Sequence, residues 1–136
     1  PAREAVVVTT PEITAIRDAD RVAGLLEANG ISKVRLIVNR VRADMIQQND
    51  MMSVQDVQEM LGLALLGVIP EDRNVIVSTN RGEPLVLQKN LTLSGIAFEN
   101  AGRRLVGSQD FLVNIAQPYK TFGQRMQELF QSDSKA

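Results

Sequence analysis

EAVVVTTPEITAIRDADRVAGLLEANGISKVRLIVN, residues 4–39, decides the fold. Its first six residues, Glu4 to Thr9, are a β-branched run of the kind that forms a strand buried on both faces. Thr10-Pro11-Glu12 then reads as a helix start, with Thr10 as the cap, Pro11 at the first helical position and Glu12 set favourably against the helix dipole. Ile13, Ile16, Ala19, Val22, Ala23 and Leu26 recur on one stripe, so the spacing predicts a helix from Glu12 to about Ala28, stopped by Asn29-Gly30. Lys33 to Asn39 is a second strand. Strand, helix and strand in this order make the right-handed crossover of a parallel sheet.

The pattern continues outward. A polar stretch from Arg40 to Met52 leads to Ser53, which caps a short helix carrying Val54, Val57, Met60 and Leu61 and closed by Gly62. Leu63 to Ile69 is a third strand, ended by Pro70-Glu71-Asp72, and Asn74 to Asn80 is a short helix or turn broken by Arg81-Gly82-Glu83-Pro84. Thr92 or Ser94 opens a last core helix that runs to Gly107, with Leu93, Ile96, Ala97, Ala101, Leu105 and Val106 as its expected buried side. The fold expected is α/β with a parallel sheet. Three strands are few for such a sheet, and the first is expected to show an exposed apolar edge.

Composition narrows the function classes. At 136 residues and 44% hydrophobic, the chain has material for one core. A formal net charge of -1, with Lys and Arg scattered, gives no electrostatic footprint for nucleic acid, so no nucleic-acid partner is expected. The absence of cysteine excludes disulfides and thiolate metal sites, and the absence of histidine removes the commonest general base. The longest apolar runs fall far short of the ~20 residues of a spanning helix. The start, a few residues ahead of a strand and without Met, reads as a cut.

After Gly107 the composition changes, and we read residues 1–107 as the core, 108–117 as a linker and 118–136 as an amphipathic tail. Tyr119, Phe122, Met126, Leu129 and Phe130 share one face at helical spacing, available either to dock back on the core or to lie on a membrane surface.

Ligands in an open parallel sheet bind at the C-terminal ends of the strands. There the chain offers Asn39-Arg40 after the second strand and Pro70-Glu71-Asp72 after the third. The Asn39 carboxamide suits the edge of a purine, and a backbone held by Pro70 can present polar groups to the same ring. Equally, an Asn closing a strand is a common turn former, and Pro-Glu-Asp is a common way to begin a helix. Arg17, Asp18, Asp20 and Arg21 form either a solvated helix face or a partner surface.

VVVTTPEITAIRDADRVAGLLE, RLIVNRVRADM, MSVQDVQEMLGLALLGVIPED and VIVSTNRGEPLVL, in that order, resemble the MinD family, in its cyanobacterial and plastid branch. The resemblance covers roughly Ala2 to Val106 and places the chain among the deviant Walker-type ATPases, which also include the ParA partition proteins. It implies the C-terminal portion of a P-loop NTPase-like fold, with Asn39, Arg40, Pro70, Glu71 and Asp72 at the adenine pocket. It implies that Arg17, Asp18, Asp20 and Arg21 lie near the surface offered to the division inhibitor MinC and the topological factor MinE. For the intact protein it implies ATP and Mg2+ as cofactors, an ATP-bound homodimer, and a C-terminal helix that binds the membrane. The implied location is the cytoplasm with peripheral association to the inner membrane, or the plastid stroma and inner envelope.

The family's phosphate loop and acidic switch segments lie in its N-terminal half, and no G-x-x-x-x-G-K-[ST] occurs here. Weak or no nucleotide binding, and no hydrolysis, is therefore expected of these residues alone. The tail is less basic than the family pattern, with Lys120 and Arg125 against Glu128 between Gln117 and Gln131, so it would bind membrane mainly through its apolar face. Two other readings remain: a ParA-type DNA-partition ATPase, which needs surface arginines clustered after the last core helix, where Arg103 and Arg104 are the one such pair, and a non-catalytic interaction module.

Overall fold

The computed structural model describes residues 2–107. Three parallel strands, β1 (Glu4–Thr9), β2 (Lys33–Val41) and β3 (Ala64–Pro70), form one sheet in the order β1-β2-β3. Helices α1 (Ile13–Ala28), α2 (Ala43–Gln47), α3 (Val54–Leu61), α4 (Arg73–Arg81) and α5 (Leu93–Leu105) follow in chain order, with a 3-10 turn at Leu85–Leu87. The α/β reading with a parallel sheet holds. The linker 108–117 and the tail residues Tyr119, Phe122, Met126, Leu129 and Phe130 lie outside the described residues.

Side chains alternate across the sheet, so its two faces bury different residues. On one face Val7, Leu36, Val38 and Val68 meet Ile16 and Ala19 of α1 and Val57 and Leu61 of α3. The other face is closed over β3 by α5, which approaches so near that Gly67 faces Ala101. This explains one departure from the expected pattern. The side of α5 turned to the sheet is its small-residue side, Ser94, Ala97 and Ala101, while Ile96, Leu105 and Val106 are exposed. Close approach of helix to sheet favours the side chains that permit it, not the largest apolar ones.

α5 does not reach β1. Val6 and Val8, on the same face of that outer strand, stay 37% and 57% exposed, which is the apolar edge expected of the first strand.

Helix ends follow local chemistry. Ser53 and Asp56 form a reciprocal capping box at α3, and Gly62 and Gly82 end α3 and α4 in the left-handed conformation that glycine adopts without strain. At α1 the cap is not Thr10. Glu12 holds that position with extended backbone and no side-chain cap bond, and Pro11 is buried ahead of it. The first turn closes through Ile16 N–H to the Glu12 carbonyl at 2.9 Å, so turning starts after the proline has packed. Ile13 and Val22 of the expected stripe are about half exposed, because α1 sits over the sheet margin and buries a narrower face than the stripe provides.

Two register shifts shape the sheet. Between Leu36 and Ile37 β3 carries an extra residue, Leu66, and between Val38 and Val41 β2 carries one extra residue, at Asn39-Arg40. Arg104 of α5 donates from Nε to the Leu66 carbonyl and from Nη2 to the Leu65 carbonyl, both at 3.1 Å. Arg35 of β2 reaches in the opposite sense, from Nη1 to the Arg104 carbonyl at 3.2 Å and from Nη2 to Leu105 at 3.4 Å and to the Glu4 carboxylate at 3.1 Å. The end of α5 is thus tied to the sheet by two guanidinium groups.

Candidate functional site

The second of these bulges builds the site. β2 was expected to end at Asn39, yet it resumes at Val41, which pairs with Pro70 of β3. Arg40, the bulged residue, has φ 57°, a left-handed conformation that a residue with a Cβ adopts only under constraint. The constraint is local: the Arg40 N–H donates to Asn39 Oδ1 at 2.9 Å, and the Glu71 N–H donates to the Val41 carbonyl at 3.0 Å.

Residues 31 apart in sequence are thereby joined at one rim. Arg40 Nη2 lies 3.0 Å from Glu71 Oε1, Arg42 Nε lies 3.7 Å from Glu71 Oε2, and Arg42 Nη2 lies 2.7 Å from Asp44 Oδ2. The hydrogen bond between Arg42 and Asp44 raises the guanidinium above its ordinary value and is the largest influence holding the Asp44 carboxyl below its own.

Behind this chain of charges is a cleft of about 510 Å³, walled by Val41, Pro70 and Leu93 and edged by Arg42, Asp44 and Glu71. Asp72, Thr92 and Ser94 line its inner end. Asn39 and Arg40 flank the cleft through Val41 and Glu71 and are not among its lining residues. The stretch from Arg40 to Met52, read as polar loop, contains α2, whose first turn carries Asp44. The contributions of Arg42, Asp44, Thr92 and Ser94 had no sequence signal beyond polarity, because each depends on how α2 and α5 pack against the strand ends.

The main chain of Pro70-Glu71-Asp72 is less available than its composition suggested. The Pro70 carbonyl accepts from Ser94 Oγ at 3.1 Å, leaving one lone pair, and the Glu71 N–H is engaged with Val41. Pro70 is the last residue of β3 and not the first of a helix, and Asp72 caps α4 instead, accepting from Asn74 N–H at 2.8 Å.

Burial pushes the Asp72 carboxyl up, but the Asn74 N–H and the hydroxyls of Thr92 and Ser94 outweigh it, and the group sits below its ordinary value. A depressed carboxyl stabilises the fold above its unfolded value, near pH ~3.9, and that contribution is lost as pH falls through the folded value. Asp72→Ala is therefore expected to lose about 1 kcal/mol at pH 7, the usual effect of removing a cap. In urea titrations the deficit should shrink as pH drops below about 4; a deficit constant with pH would separate the loss from the carboxylate.

Arg17, Asp18, Asp20 and Arg21 lie together on the exposed side of α1, away from the cleft-lining residues. Arg21 and Asp18 approach to 3.9 Å with both side chains mostly in solvent, a pair of little energetic weight. Among the described residues no group of three or more His, Cys, Asp or Glu side chains could hold a metal ion.

Comparison with known proteins assigns the chain. No protein-family model matches it. The septum site-determining protein MinD of Chlorella vulgaris is 73% identical over 129 residues, 95% of this chain and 46% of that protein. The chloroplastic MinD homologue of Arabidopsis thaliana is 72% identical over 78% of this chain and 32% of its own length.

Among solved structures, the MinC:MinD cell division protein complex of Aquifex aeolicus matches with a TM-score of 0.80 at 39% identity, covering 84% of this chain and 47% of that one. MinD of Pyrococcus horikoshii, solved with Mg-ADP, matches at 0.68 and 27% identity, over 78% of this chain and 42% of that one. The chain spans less than half the length of each of these proteins. With high identity along almost all of its own residues and the same α/β arrangement of strands and helices, this chain corresponds to a part, less than half, of the MinD septum site-determining proteins.

Proposed function

We propose that residues 1–107 are the C-terminal half of a MinD-type ATPase domain and supply the base side of its nucleotide site. The observation that carries this reading is the β2 bulge, which brings Asn39 and Arg40 beside Pro70-Glu71-Asp72 at the C-terminal edge of a parallel sheet. The cleft there has apolar walls for a flat ring and polar groups at its edge, a lining that fits adenine. The Mg-ADP held by the Pyrococcus horikoshii relative supports ATP with Mg2+ as the ligand of the longer polypeptide. In this reading the metal and the phosphates belong to residues outside this chain, so these residues alone bind nucleotide weakly and hydrolyse nothing.

The intact protein places the division site, dimerises on ATP, and recruits a MinC-like inhibitor. The MinC:MinD complex of the Aquifex aeolicus relative supports that partner. A MinE-like factor is the second partner, and the Arg17, Asp18, Asp20 and Arg21 face of α1 is offered to the two. The tail residues Tyr119, Phe122, Met126, Leu129 and Phe130 attach the dimer to a membrane. The chloroplastic name of the Arabidopsis thaliana relative supports the plastid stroma and inner envelope as the location.

The base-side reading is tested in the full-length polypeptide with ATP and with inorganic triphosphate, which has phosphates and no base. Asn39→Ala is expected to weaken ATP about tenfold, the loss of roughly one base-edge contact, and to leave triphosphate unchanged. Equal effects on the two ligands, or none on either, would refute it.

A further inference from the structure

Ser94 is the most completely buried polar residue of the described chain, at 0% exposure, and it belongs to none of the strand-end motifs. It stands in the first turn of α5, just after the Thr92 cap, whose hydroxyl accepts from Gly95 N–H at 3.2 Å. Its own hydroxyl crosses to another element and donates to the Pro70 carbonyl at 3.1 Å. Pro70 has no N–H and ends β3 beside the bulged Asn39-Arg40, so its carbonyl is where the rim's main chain can be adjusted. Asp72, two residues on, accepts from the Asn74 N–H at 2.8 Å and lines the same inner end of the cleft as Thr92 and Ser94. The turn at residues 70–72 is therefore held from behind by α5 and in front by the Glu71 side chain, which engages Arg40 and Arg42.

We infer that Ser94 is a positioning residue for base recognition: its buried hydroxyl fixes the Pro70 carbonyl and, through it, the aim of the rim at the base. The inference rests on the base-side reading above. Ser94 acts through Pro70, to which its one hydroxyl proton is committed, although its side chain also borders the inner end of the cleft. Removing the hydroxyl leaves a buried carbonyl with one partner fewer and frees the turn to shift, and small shifts at a recognition edge are read as lost affinity.

The test compares Ser94→Ala and Ser94→Cys with the parent, as full-length polypeptides, for ATP and for inorganic triphosphate. Ser94→Ala is expected to weaken ATP about fivefold, the loss of roughly one neutral hydrogen bond, with triphosphate affinity unchanged. Ser94→Cys, which keeps a weak donor, is expected to fall between. A general loss of folding would lower both ligands together and would overturn the inference, as would an unchanged ATP to triphosphate ratio in both variants. If Ser94→Ala does not fold, Ser94→Cys carries the same ratio test. Asn39→Ala separates the two levels. Base-selective loss there but not at Ser94 removes only the positioning role, and no base-selective loss at either residue removes the base-side reading with it.

Discussion

Gly67→Ala is expected to destabilise the chain by about 2–3 kcal/mol, seen as a lower urea midpoint at an unchanged slope. A Cβ at this position would stand 2.8 Å from the Ala101 Cβ and 3.8 Å from its Cα. Neither is the movable end of a long side chain, so the clash is relieved only by moving α5 off β3. That movement strains three contacts at once: Arg104 to the Leu65 and Leu66 carbonyls, and Ser94 to the Pro70 carbonyl. Ala101→Gly alone should cost about 1 kcal/mol through helix propensity. The double variant should be more stable than the sum of the two by about 1 kcal/mol or more, since the glycine reopens the space. Strict additivity would show that the Gly67–Ala101 approach does not set the spacing.

Arg35→Ala is expected to cost about 2–3 kcal/mol, in the range for hydrogen bonds from a charged donor. Two of its partners, the Arg104 and Leu105 carbonyls, are among the last four of α5, where the i+4 donors run out and the Arg104 carbonyl has only the Gly107 N–H at 3.2 Å beside the guanidinium. The positive charge also faces the negative end of the helix dipole. Arg35→Lys should recover little, because a single ammonium cannot fork to two carbonyls and the Glu4 carboxylate together. Lysine restoring full stability in the same urea titration would mean that charge alone, and not the fork, holds the helix end.

Much of the architecture is local and therefore readable in advance. β-branched runs, the Ser53 capping box and the glycines after α3 and α4 act through neighbours in sequence, and those elements stand within a residue or two of their expected bounds. What escaped the sequence is tertiary. α2 is five residues long with no buried side chain, so it has no apolar stripe to announce it. The inward face of α5 is chosen by the approach at Gly67, and the periodicity of its large side chains pointed elsewhere. At the candidate site, the two strand-end motifs were visible, and the ion pair between Arg40 and Glu71 unites them. The bulge that makes this possible depends on register with β3, and Ser94 arrives from a helix 24 residues beyond Pro70.

If Arg40 serves the proposed base-side site, its left-handed backbone puts stability and recognition in opposition. A side chain in that conformation costs on the order of 1 kcal/mol that glycine would not. Any laboratory selection for heat resistance alone would therefore favour Arg40→Gly. The survivors would have a quieter backbone at the bulge and only the more distant Arg42 guanidinium, at 3.7 Å, facing Glu71, so directed-evolution campaigns on this scaffold need a ligand-binding step in every round.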